Sequence, residues 1–209
     1  MATARGRHAP PPEVRLPLQR SRLLRAAAEE FAERGYAGTS SESISRRAAM
    51  SKATFYEHFA NKEECMLALF DLGYEVVVQS MATAAQGAPT GRPAERMRAG
   101  TRAFLTALAD HPEFAQTLLV EIIGAGPRAA HRRDQIMQAF AEVIDAENAA
   151  SARRGLSGRF RSPHDSFAIV GATVELVSRQ VRLGIPENVL DLAPVIDRLI
   201  LGMVPPLES

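Results

Sequence analysis

With 209 residues, 46% of them hydrophobic, the chain has enough apolar material for one or two packed domains. Its single cysteine, Cys65, excludes an internal disulfide and suits a reducing, cytoplasmic setting; Pro10-Pro11-Pro12 interrupts any secretory apolar segment, and no run of about 18 apolar residues predicts a membrane span. The net charge of +1 is unevenly spread, with 11 Lys+Arg against 6 Asp+Glu in residues 1–62 and 14 against 18 in the remainder, which fits a nucleic-acid-binding head on a body that need not touch nucleic acid.

Residues 1–16 are Pro-rich, with Arg5, Arg7 and Arg15, and read as a disordered tail. It is either an arm that reaches a minor groove or phosphates or a solvated leftover. Helix one is expected from near Leu18 to Arg34, where Leu24, Ala27, Ala28, Phe31 and Ala32 recur at helical spacing and Gly35 supplies a left-handed cap. Arg20, Arg22 and Arg25 lie near its start as a solvated face, with a phosphate contact as the alternative. Thr39 and Glu42 have the spacing of a capping box for a second helix, striped by Ile44 and Ala48 and ending at Ala49-Met50. Ser51 caps a third, Lys52 to Phe59, whose Phe55 and Phe59 share one face. Ala53, Thr54 and Glu57 fall opposite, flanked by Tyr56 and His58, with Lys52 in the first turn. So short a helix is marginal alone and must be pinned by its phenylalanines. Its small, hydroxylated and basic outer face suits a DNA major groove. Glu57 either accepts from a cytosine amino group or pairs with an arginine.

Asn61, with Glu64 three residues on, caps a fourth helix that carries Met66, Leu69, Phe70 and Gly73 to near Ala85, long enough to act as a lever between head and body. Further helices are predicted on Met97, Thr101, Phe104 and Leu108; on Phe114, Leu118 and Ile122 after Pro112; and on Ile136, Phe140, Val143 and Ile144 up to Arg154. Ser162-Pro163 reads as the start of the next. The last two segments, Phe167–Leu183 and Val189–Met203, are too apolar all round for one-sided surface helices. Their surplus is covered either within the monomer or in a symmetric four-helix dimer bundle. No strand alternation of useful length appears, so the fold class is all-α.

No catalytic, metal or cofactor constellation is found. His8, His58, His111, His131 and His164 are scattered, and GxSxG, GxxxxGK and HExxH are absent. Cys65 reads as a small core residue rather than a redox switch. Glu121 and Arg102 are open between polar anchors of a pocket and plain surface or ion-pair residues.

Phe31, Gly35, Tyr36, Thr39, Ser40, Ile44, Ala48, Ser51, Lys52, Thr54, Tyr56, His58, Phe59 and Lys62, at fixed spacing over about a quarter of the chain, resemble the TetR family of one-component transcription regulators. Ser45, Ala49, Met50 and Ala53 depart from its usual Ala, Gly, Val and Gly; Ala49 stands where a turn suits glycine better. The resemblance implies a helix-turn-helix DNA-binding domain over 17–77, its motif at about 40–59, and an effector-binding and dimerisation domain over 78–209. It implies a homodimer, joined through the last two helices, on a palindromic double-stranded DNA operator, and repression relieved by a small apolar or amphipathic effector. The DNA-binding residues are expected to be Thr39, Ser40, Ser51, Lys52, Ala53, Thr54, Tyr56, His58 and Lys62. Thr54 is assigned to base edges, and Tyr56, Lys62 and the Thr39–Ser40 cap to phosphates. The rivals are a helical ligand-binding or enzymatic protein that does not use its head, and a DNA-binding regulator answering to a protein partner.

Overall fold

The computed structural model describes residues 11–89 and 91–206. The expected arm at Arg5 and Arg7 lies outside the described residues. Among them there is no strand, and nine α-helices follow one another.

The head is built from α1 (Pro12–Gly38), α2 (Ser41–Arg47) and α3 (Lys52–His58). α1 begins six residues before the expected Leu18, because Pro12 suits a first helical position, and it tolerates Pro17 near this exposed end. Gly35 (φ 70, ψ 164) kinks it, and one further turn of helix follows. The cap of α2 is Ser40 rather than Thr39, and its capping box is closed by Ser43 rather than Glu42. The reason is that Thr39 is only 3% exposed. Its hydroxyl lies 3.0 Å from the Glu30 carbonyl and 2.9 Å from that of Gly35, leaving the next side chain to cap. Between α2 and α3, Ala49 takes a left-handed backbone with φ 52.

α4 (Lys62–Gly87) starts on its Asn61 cap, with the carboxamide accepting from the Glu64 N–H at 2.9 Å. An 18-residue window of α4, mean hydropathy 1.3, is long and apolar enough by length and composition to cross a membrane, against the expectation of none. Here Cys65, Met66, Leu69, Phe70 and Val77 are packed in the core, and the helix lies along α1, α5 (Pro93–Asp110) and α7 (Pro127–Arg153). Burial pushes the Cys65 thiol up to about 12, which fits an inert core residue.

α6 (Pro112–Leu119) gives way to a 3₁₀ turn at Glu121–Gly124, so the expected Phe114–Leu118–Ile122 stripe spans two elements. α8 (Asp165–Leu183) begins after Pro163, not at it, since the Asp165 carboxylate accepts from the Arg161 and Ser162 N–H groups and so organises the turn. The final segment is a 3₁₀ turn, Val189–Leu192, and then α9 (Ala193–Met203), with Pro194 in its first turn.

One apolar cluster joins Leu23, Leu24, Phe31, Ile44, Phe55 and Phe59 of the head to Leu118, Ile122 and Ile136 of the body. A second, with Leu105, Ile169, Val177 and Ile196 among its members, fills the body. Head and body therefore share packing.

Candidate nucleic-acid interface

α3 is held from behind. Phe55 is fully buried and Phe59 nearly so, with ring centroids 5.6 Å apart, and the Arg20 guanidinium lies 5.3 Å from the Phe59 centroid. Arg22 donates to the Ala48 carbonyl at 2.9 Å, tying α1 to the turn. Two of the three arginines read as a solvated face thus serve the fold.

A deeper ion network fixes α2. Arg47 donates from Nε to Glu30 at 2.7 Å and from Nη1 to Glu33 at 2.7 Å, with a further Glu33 contact and Glu29 at 3.4 Å. Burial pushes the Glu30 carboxyl up, yet Ser43 and the Arg47 guanidinium outweigh it and hold the group below its usual range. No local pattern signals this pairing, because its partners are 17 residues apart.

The opposite side of α3 faces outward. Ser51, Lys52, Ala53, Tyr56 and Glu57 are exposed, Tyr56 to 50%, while Thr54 and His58 are half-buried. Ser51 Oγ accepts the Thr54 N–H at 3.0 Å and lies 2.9 Å from the Thr54 hydroxyl, which orients that hydroxyl. Burial lowers the His58 pKa, with Arg20 and Arg15 adding to the effect and Glu57 opposing it, so the ring favours its neutral form. Its Nε2 lies 3.4 Å from Gln19 Oε1.

Ser40 is exposed, unlike Thr39. Lys62 is turned inward: Nζ donates to the Tyr36 carbonyl at 2.7 Å and to that of Thr39 at 2.9 Å, and sits 4.3 Å above the Tyr36 ring. Ser51, Lys52, Ala53, Thr54 and Tyr56 thus lie along the outward side of α3 and Ser40 is exposed at the cap of α2, whereas Thr39 and Lys62 brace the junction between α1, α2 and α4. Among the described residues Glu121 makes no ion pair; its Oε2 accepts the Tyr36 backbone N–H at 2.9 Å. The 85-residue separation hid this contact from sequence reasoning.

A buried double anchor, a capped turn and a seven-residue helix with an open polar face form a helix-turn-helix. Residues 23–69 match the family model described as bacterial regulatory proteins, tetR family. The head of the chain is thus a TetR-family head. Over 86 residues it is 35% identical to the HTH-type transcriptional activator FasR of Mycolicibacterium smegmatis, covering 41% of this chain and 38% of that protein. Over 105 residues it is 26% identical to the uncharacterized HTH-type transcriptional regulator YerO of Bacillus subtilis, covering 50% and 36%. The chain thus spans little more than a third of these curated relatives. The TetR-family regulator PfmR of Thermus thermophilus is similar over 91% of this chain and 97% of its own, with TM-score 0.66 and 25% identity. The fold also resembles FadR of Bacillus subtilis, solved in complex with stearoyl-CoA, over 87% and 97%, with TM-score 0.77 and 18% identity. The TetR family and both curated relatives are regulators rather than enzymes.

Proposed function

We propose that this protein is a dimeric DNA-binding transcriptional regulator, acting in the cytoplasm as a repressor released from a palindromic operator by a small effector. The observation that carries the reading is α3, with Phe55 sealed inside and Lys52, Ala53, Thr54 and Tyr56 outside. One such helix from each protomer enters successive major grooves. Thr54 reads base edges, Tyr56 and the Ser40 cap hold phosphates, and Lys62 steadies the cap from behind. The dimer forms through α8 and α9, a reading supported by apolar side chains left exposed on them, among them Phe167 and Val195.

The effector proposed is an acyl-CoA thioester. Support comes from an apolar cavity walled by Met81, Phe104, Phe140, Ile144, Val174 and Ile200, with Thr101 and Thr173 also in its lining. The Thr173 hydroxyl is buried with no hydrogen-bond partner among the described residues, leaving a donor for a carbonyl. The ligand held by the similarly folded FadR points to the same class. At about 80 Å³ the cavity is small beside ordinary ligand pockets of about 300–1,000 Å³, so a chain entering it must spread the helices and shift the heads. That smallness also favours a second reading, a regulator answering to a protein partner. FasR, an activator, favours the opposite sign of control on the same DNA-binding function.

The test is substitution. Thr54→Ala changes sequence preference at one position by about 1–3 kcal/mol, and Tyr56→Ala weakens binding to all sequences alike. Intact operator binding after changing Thr54, Tyr56 and Lys62 together removes the reading. A stearoyl-CoA titration separates the effectors: release from DNA supports the thioester, and no binding supports the protein partner.

A further inference from the structure

We infer that Glu121 is the positioning residue through which the body sets the angle of the DNA-reading head, an inference that rests on the function proposed above. The chain of contacts begins at the kink in α1. Gly35 adopts φ 70 and ψ 164, so the Tyr36 N–H leaves the helical ladder and needs another acceptor. The acceptor is Glu121 Oε2, at 2.9 Å, from the 3₁₀ turn after α6. A β-carbon at position 35 would stand 3.3 Å from that oxygen and in a strained backbone, so glycine both makes the kink and admits the carboxylate. The other carboxylate oxygen accepts from Gln116 Nε2 at 3.2 Å, which fixes the group from behind.

Tyr36 passes this position on. Its carbonyl and that of Thr39 accept from Lys62, whose ammonium sits over its ring. The place of Tyr36 thereby sets both the entry to α2 and the first turn of α4. On the body side, α6 is tied to α1 by the buried Thr117 hydroxyl, 3.2 Å from the Ala28 carbonyl. It is tied to α8 by the Ser178 hydroxyl, 3.4 Å from the Leu119 carbonyl. α8 supplies Ile169, Val170, Thr173 and Val174 to the apolar cavity. A wall of that cavity is therefore linked through α6 and Glu121 to the junction under α3. Of the other polar ties between α4 and the body, Arg128 to Glu63 and Glu64 and Arg132 to Asp71 are ion pairs near the surface, where salt screens them, and Arg96 donates to the Ala85 carbonyl at the end of α4 far from the head. The carboxylate–amide bond at Tyr36 is charge-assisted and partly buried.

The experiment compares full-length wild type, Glu121→Ala and Glu121→Gln on two duplexes taken from wild-type sequence selection, one with both half-sites and one with a single half-site, and follows amide exchange at Tyr36. Glu121→Ala deprotects the Tyr36 amide and weakens binding to the two-site duplex by about tenfold, in the usual range of coupling between sites. Its single-site affinity is unchanged, because one head needs no partner at the right spacing. Glu121→Gln, which keeps an acceptor oxygen, restores both readouts. Unchanged two-site binding in Glu121→Ala overturns the inference, as does continued protection of Tyr36. Equal losses on both duplexes overturn it too, since they mark a folding role. If wild type enriches no duplex, the DNA-binding reading falls, and exchange at Tyr36 still decides whether Glu121 holds that amide.

Discussion

Ala49→Gly should stabilise the protein, although most glycine substitutions in a helical protein do the reverse. Ala49 is exposed and left-handed, with φ 52, so the exchange alters little but the backbone. A non-glycine residue in that conformation costs about 1–2 kcal/mol, which glycine relieves. Against this, glycine gives the unfolded chain extra freedom, about 0.5–1 kcal/mol. The difference favours the variant by about 0.5–1 kcal/mol, a rise in melting midpoint of about 1–4 °C for a chain of this size. The turn itself stays closed, because the Met50 N–H donates to the Ser45 carbonyl at 2.9 Å and Arg22 holds Ala48. The assay is thermal unfolding at fixed protein concentration, with Ala82→Gly as the control. Ala82 lies exposed within α4, where glycine lowers stability by about 1 kcal/mol. The same chemical change should therefore shift the midpoint in opposite directions at the two positions. A fall at position 49 matching that at position 82 refutes the strain argument.

Arg47→Met should destabilise by about 3 kcal/mol near pH 7, because it takes the nearer cation from the buried Glu30 carboxylate and leaves only Arg34 at 3.4 Å. The wild-type Glu30 carboxyl titrates below its ordinary value of 4.5, so its contribution is complete at neutral pH and fades as the pH drops through the lower folded value. In the variant, Ser43 and Arg34 alone oppose burial and the Glu30 value rises; urea midpoints of the two proteins then converge on acidification, and a gap independent of pH contradicts the assignment. Gly73→Ala should cost about 1–3 kcal/mol, since its β-carbon would collide with Leu118 Cδ1 where α4 meets α6. An unchanged midpoint shows that Leu118 can step aside.

The head is largely legible in the sequence because its signals are local. Ser51, Asn61 and the phenylalanine pair act within one or two turns, and each sits as the spacing implies. Spacing alone puts the cap of α2 one residue early, since nothing local reveals that Thr39 turns inward to carbonyls of α1. Long-range partners are opaque for the same reason. Glu121 meets Tyr36, and Arg47 meets Glu30, only once the helices pack. The motif points Lys62 toward phosphate, whereas its ammonium staples two carbonyls of the head. In the body, apolar stripes locate helices but not the cavity, because its walls come from five separate segments.

The central claim is that the outer side of α3 selects base pairs, and sequence selection from random duplexes with the purified full-length protein tests it most directly. The expected outcome is one enriched, near-palindromic site whose half-sites lie about one helical turn apart or slightly more, bound with an affinity that drops steeply as salt rises. A pool that stays random after repeated rounds, or binding indifferent to salt, contradicts it.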